Sequence, residues 1–149
     1  MFTETYDPED PGTYVAESTR QVVVVDDSAT QISLYERGVD SLAAELSAFR
    51  STDEALEFLH STDVDLLFLD LAMSGSDGLS FLRDLRALER HEQTNVVIVT
   101  SKDYAQDRIV AKELGSLDYM VKPLRSQEIR EIICKYTDVQ STPSDSPEV

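Results

Sequence analysis

The sequence predicts an α/β fold built on one doubly wound, parallel, five-stranded sheet. Three observations predict it. Five short runs are rich in Val, Ile, Leu and Phe, each is followed by a stretch with apolar residues at helical spacing, and the connections between them are short. Successive strand–helix units of this kind return to the same sheet by right-handed crossovers, which places helices on both faces.

The elements follow in order. Gln21–Val25 is a β-branched run and reads as a buried strand, after which Ser28 caps a helical stretch to about Val39. Glu45–Phe49 is a weaker strand, and Ala55, Leu56 and Leu59 mark one face of a short helix behind it. Val64–Leu69 is almost continuously apolar, as a central parallel strand covered on both faces must be. Asp77 or a near neighbour starts the third helix, whose Leu79, Leu82, Leu85 and Leu88 recur at helical spacing. Asn95–Val99 is a fourth strand, followed by a helix from about Asp103 to Leu114 with Gly115 at its C-terminal stop. Leu117–Val121 and Ser126–Tyr136 complete the set as strand and helix. On either side, residues 1–18 read as a disordered acidic leader broken by Pro8, Pro11 and Gly12, and residues 138–149 as a disordered tail rich in Ser, Thr, Pro and Asp. The folded domain is expected over 19–137.

Composition narrows the function. The chain has 149 residues, enough for one domain with a core of its own. Its formal net charge of -16 would be repelled by a phosphate backbone, so nucleic acid is not expected as a direct partner. The chain has only four lysines, and an acidic, lysine-poor surface suits either a high-salt cytoplasm or an ordinary solvated face. The single cysteine, Cys134, lies in an apolar helical run and reads as a small core residue. No apolar run is long enough to span a bilayer and no signal peptide is evident, so no membrane association is expected and the cytoplasm is the expected location.

In doubly wound sheets, ligands bind beyond the carboxyl ends of the strands. Asp26 and Asp27 follow the first strand, Asp70 the third, Thr100 the fourth and Lys122 the fifth. Each alone reads as a turn, cap or surface residue. Together they bring three carboxylates, a hydroxyl and a lysine to one sheet edge. Clustered carboxylates repel unless a cation intervenes, and all-oxygen ligation with room for water suits Mg²⁺. No Cys or His is placed to favour softer metals, since His60 and His91 fall near helix ends away from that edge. A carboxylate can attack phosphorus to give an acyl phosphate, and phosphoryl transfer chiefly needs positioning and charge neutralisation. Asp70, ending the central strand, is the nucleophile candidate. Mg²⁺, Lys122 and the Thr100 hydroxyl would each serve one phosphoryl oxygen.

The strings VVVVDDS at 22–28, LLFLDLAM at 66–73 with Asp77 and Gly78 behind it, VIVTS at 97–101 and DYMVKP at 118–123 resemble the response-regulator receiver family of two-component signalling. The likeness covers about residues 20–136, spacing included. It implies a flavodoxin-like sheet of order 2-1-3-4-5 with five helices. It implies that Asp26 and Asp27 hold Mg²⁺ directly or through water, that Asp70 is both phosphoacceptor and ligand, and that the backbone carbonyl of Ala72 is a further ligand. Lys122 would contact the phosphoryl group across a cis bond to Pro123, and Thr100 and Tyr119 would form the switch. Ala72 and Lys102 would tune autodephosphorylation. Ser74 departs from the family, which usually has proline there, so the loop is expected to be more flexible. The implied partners are a sensor histidine kinase or histidine phosphotransfer protein and an unidentified downstream protein, with the chain a monomer or a phosphorylation-dependent dimer. The implied protein is not an enzyme beyond self-catalysed phosphorylation and dephosphorylation. A phosphatase with an aspartyl-phosphate intermediate would need a general acid where Ala72 stands and an inserted cap, neither of which is present. A phosphorylation-independent module on the same fold, or a fragment of a longer regulator, is the alternative.

Overall fold

The computed structural model describes residues 19–73 and 77–138. Five parallel strands form one sheet: β1 Arg20–Val25, β2 Ala44–Phe49, β3 Leu66–Asp70, β4 Asn95–Thr100 and β5 Asp118–Val121. Five α-helices alternate with them: α1 Ala29–Val39, α2 Thr52–Leu59, α3 Gly78–Ala87, α4 Ala105–Glu113 and α5 Ser126–Thr137. The spatial order is β2-β1-β3-β4-β5, as expected from the sequence. Register places Val25 beside Leu69 and Asp70 beside Val99, so the functional strand ends are level with one another.

The pleat divides the apolar residues into two layers. Val22, Val24, Leu66, Phe68, Val97 and Val99 face α1 and α5, where Tyr35, Ile129 and Ile133 complete the layer. Val23, Val25, Leu67, Leu69, Val96 and Ile98 face the other way, onto Leu59, Phe81, Leu82, Leu85 and Ala111 of α2, α3 and α4. Cys134 packs at the edge of the first layer. Alternation within a run of uniformly apolar residues is what a strand covered on both faces produces. Gly38 lets α1 and α5 approach closely: a Cβ there would lie 2.7 Å from Ile129 Cγ2.

Local chemistry sets the ends. Ser28 accepts a hydrogen bond from the Gln31 amide, Ser51 from that of Glu54 and Asp77 from that of Leu79, which starts α1, α2 and α3. α4 ends on Gly115 at φ 86°, with Gly115 N bonding Lys112 O and Ser116 N bonding Ala111 O. That pair of bonds is the left-handed stop the sequence suggests.

Several strand and helix ends lie one residue from expectation, and three differences stand out. β3 starts at Leu66 rather than Val64, because Asp65 turns its carboxylate onto the Gln21 amide at 2.7 Å. α4 starts at Ala105 rather than Asp103, whose carboxylate reaches Arg108 instead of capping the helix. α3 stops at Ala87, and a 3₁₀ turn over Glu89–His91 follows that periodicity did not indicate. The Ser74 departure lies outside the described residues. No helix among the described residues is long and apolar enough to cross a membrane.

Candidate functional site

Asp26 immediately follows β1, Asp70 ends β3, and Lys122 immediately follows β5. Because β1 and β3 are hydrogen-bonded neighbours, the first two carboxylates meet at one end of the sheet. Asp26 is 0% exposed and Asp70 5%. The Lys122 ammonium bridges them, donating to Asp26 Oδ2 at 2.8 Å and to Asp70 Oδ2 at 3.1 Å. Their other oxygens are held by backbone: Ser28 N donates to Asp26 Oδ1 at 2.9 Å, and Ala72 N to Asp70 Oδ1 at 2.8 Å. Those amide contacts fix both carboxylates through the residue two places on, a local turn that sequence reading did not identify.

The third carboxylate joins them. One oxygen each from Asp26, Asp27 and Asp70 lie within 4.8 Å of one another. Burial pushes the Asp26 carboxyl above its ordinary value, with Asp70 adding to it and Lys122 and the Ser28 amide partly offsetting it. For Lys122, burial pulls the ammonium down, but the two carboxylates outweigh it and the net direction is up. Two buried carboxylates sharing one ammonium, with a third carboxylate close by, make a cluster that a divalent hard cation would stabilise. The all-oxygen donor set of Asp26, Asp27 and Asp70 therefore fits a hard divalent cation.

The remaining predicted residues stand at defined places around this cluster. Thr100 ends β4 and is buried, but its hydroxyl bonds the Lys102 backbone, accepting from N at 3.1 Å and donating to O at 3.3 Å. The Lys122–Pro123 bond is cis, and Lys122 N bonds Thr100 O at 2.8 Å. Tyr119 is not part of the cluster. It lies on β5 with the Arg108 guanidinium 4.5 Å from its ring centroid, and its hydroxyl is buried without a hydrogen-bond partner. Arg108 in turn forms a two-point ion pair with Asp103 at 2.6 and 3.1 Å. Sequence reading missed Arg108 and Asp103, because an exposed pair five residues apart carries no periodic signal until α4 is known to pack beside β5. His60 caps the end of α2, while His91 is fully buried with Nδ1 2.8 Å from Thr94 Oγ1 and Nε2 2.8 Å from Leu59 O.

Residues 22–134 match the family model of the response regulator receiver domain. The chain belongs to the response-regulator receiver family. It is 35% identical over 111 residues to the cyclic di-GMP phosphodiesterase response regulator RpfG of Xanthomonas campestris, covering 73% of this chain but only 29% of that protein. The chain thus spans less than a third of that curated relative's length. Among solved structures, the receiver domain of a sensor histidine kinase from Pseudomonas aeruginosa, with a magnesium ion coordinated in its active-site cleft, superposes at TM-score 0.70. It is 21% identical and covers 80% of this chain and 98% of its own. A response regulator from Burkholderia pseudomallei with a phosphorylated aspartic acid and a calcium ion gives TM-score 0.69 at 20% identity, covering 78% and 66%. These two likenesses establish the receiver fold. The matched region is thus a receiver domain, a signalling domain of response regulators.

Proposed function

We propose that this receiver is a phosphorylation switch: a sensor histidine kinase or histidine phosphotransfer protein donates a phosphoryl group to Asp70, with Mg²⁺ bound, and partner binding changes in response. The observation that carries the reading is the Lys122 ammonium shared between two buried carboxylates at the ends of β1 and β3. An acceptor must be oriented and its charge partly neutralised before a second anion can approach. Asp70 meets both needs, since the Ala72 amide fixes one oxygen and Lys122 neutralises the other. In the transfer, the P–N bond of the donor's phosphohistidine breaks as a P–O bond forms to Asp70, and the histidine nitrogen keeps the electron pair. Lys122 follows the developing charge onto a phosphoryl oxygen, and the Thr100 hydroxyl leaves Lys102 to donate to another. Asp26, Asp27, Asp70 and the Ala72 carbonyl would hold Mg²⁺, which when bound would supply charge neutralisation at the phosphoryl oxygens. The magnesium-bearing Pseudomonas receiver and the phosphorylated Burkholderia regulator support this reading.

The output surface in this proposal is the face of α4, β5 and α5. Tyr104, Ile109, Leu117 and Val121, on or next to α4 and β5, are large apolar residues left exposed, as residues at a protein interface can be. Either a downstream protein or a second copy of the chain would use it, in the cytoplasm.

The test is intact mass after incubation with Mg²⁺ and acetyl phosphate or phosphoramidate. We expect one phosphoryl adduct that needs Mg²⁺ and is absent in Asp70→Asn. Folded wild type that takes up no phosphoryl group from several donors would favour the phosphorylation-independent module instead.

A further inference from the structure

The Thr100 hydroxyl has one proton, and it is already committed. It donates to the Lys102 carbonyl while accepting from the Lys102 amide, so donating to a phosphoryl oxygen breaks its bond to the carbonyl. Residues 101–104 are all exposed, so little else anchors the loop that leads into α4. Within that loop the Asp103 carboxylate holds Arg108 at two points. Arg108 lies over the face of Tyr119, at a separation where a guanidinium is attracted to the ring. The Tyr119 hydroxyl is buried with no hydrogen-bond partner among the described residues, an arrangement that costs free energy and must be held in place by its neighbours. A cavity of about 260 Å³ opens beside the ring, lined by Arg108, Lys112, Ser116, Leu117, Asp118 and Tyr119. The guanidinium can therefore leave the ring without disturbing the core.

We propose that Asp103 and Arg108 are positioning residues that form a clamp, holding Tyr119 in its resting place and tying it to the loop that Thr100 controls. This rests on the reading of Asp70 as phosphoacceptor. When the Thr100 hydroxyl turns to the phosphoryl group, the loop loses its bond to Lys102, Asp103 shifts, and Arg108 is drawn off the ring. The Tyr119 hydroxyl is then free to find a partner. Coupling of this kind is reciprocal: a contact made only in the resting state opposes phosphorylation, and removing it favours the phosphorylated form.

The experiment is a titration of Mg²⁺-loaded protein with beryllofluoride, a phosphoryl mimic, in wild type, Asp103→Asn, Arg108→Gln, the double variant and Lys112→Gln. The readout is ¹⁹F NMR of protein carrying 3-fluorotyrosine, with the Tyr119 resonance assigned by Tyr119→Phe. An exposed ion pair and a cation–π contact together are modest, so tighter beryllofluoride binding by about three- to tenfold is expected for Arg108→Gln and a smaller gain for Asp103→Asn. The double variant should match Arg108→Gln, because that change already removes both contacts. Lys112→Gln should behave as wild type. In the free protein, the Tyr119 resonance should move in the Arg108 and Asp103 variants alone. Wild type that binds beryllofluoride while the two variants bind it equally or more weakly overturns the clamp alone. Wild type that does not bind it at all overturns the Asp70 reading and the clamp with it.

Discussion

At the scale of single residues, the site sets the burial of Asp26, which weighs against folding, against the Lys122 bridge, which weighs for it. Burial holds the Asp26 carboxyl above its ordinary value, so the folded chain binds that proton more tightly than the unfolded chain does. Stability from this group therefore falls as pH rises through the interval between the ordinary and the raised value, and the full cost is present above the raised value. We expect Asp26→Asn to melt at a higher temperature than wild type at neutral pH without divalent cations. The difference should vanish in acid below the ordinary aspartate range. Added Mg²⁺ should raise the melting temperature of wild type by binding the folded state, and this effect should be lost in the variant. Melting curves across pH, with and without Mg²⁺, check both statements. The sequence could place Asp26, Asp70 and Lys122 at one sheet edge, because strand ends are countable. It could not reveal that Lys122 reaches two carboxylates at once, since that bridge joins residues 96 and 52 positions apart.

At the scale of elements, legibility followed burial. β1, β3 and β4 are nearly uniformly apolar because helices cover both of their faces, and each was visible as a run. β2 lies at a sheet edge with no fully buried residue and was correspondingly faint. Arg86 was invisible, because one arginine in an amphipathic helix reads as surface. It stitches the far end of the sheet instead, donating to the carbonyls of Leu114, Thr94 and His91 at 2.8, 2.7 and 2.9 Å. Arg86→Ala leaves those carbonyls without their donor and should cost about 1–3 kcal/mol. Denaturant unfolding reads the loss, and hydrogen exchange should rise around residues 114–117 while Asp70 phosphorylation persists. Gly38→Ala tests the other side of the sheet: the added methyl would meet Ile129 at 2.7 Å. Forcing α1 from α5 should cost about 1–3 kcal/mol in the same assay. An unchanged midpoint for either variant would contradict the packing described.

At the scale of the whole molecule, a net charge of -16 acts on everything at once. Self-repulsion among surface carboxylates weakens the compact state and is screened by salt, with a Debye length of about 10 Å at 0.1 M. Monovalent salt should therefore raise the melting temperature, whereas the buried Lys122 bridge should be little affected. A melting temperature that fell with salt would place the governing electrostatics in exposed ion pairs instead. The parallel arrangement of five strands, legible from alternation, brings five distant residues to one end of the sheet, and the chemistry proposed for Asp70 depends on that convergence. The most direct measurement is to trap the acyl phosphate itself. Protein phosphorylated with acetyl phosphate and Mg²⁺ is reduced with borohydride, which converts an aspartyl phosphate to homoserine, and the modified position is read by peptide mass spectrometry. The account predicts homoserine at position 70 and nowhere else, and none when Mg²⁺ is withheld. Homoserine at position 26 or 27, or a phosphoryl group that resists reduction, would contradict it.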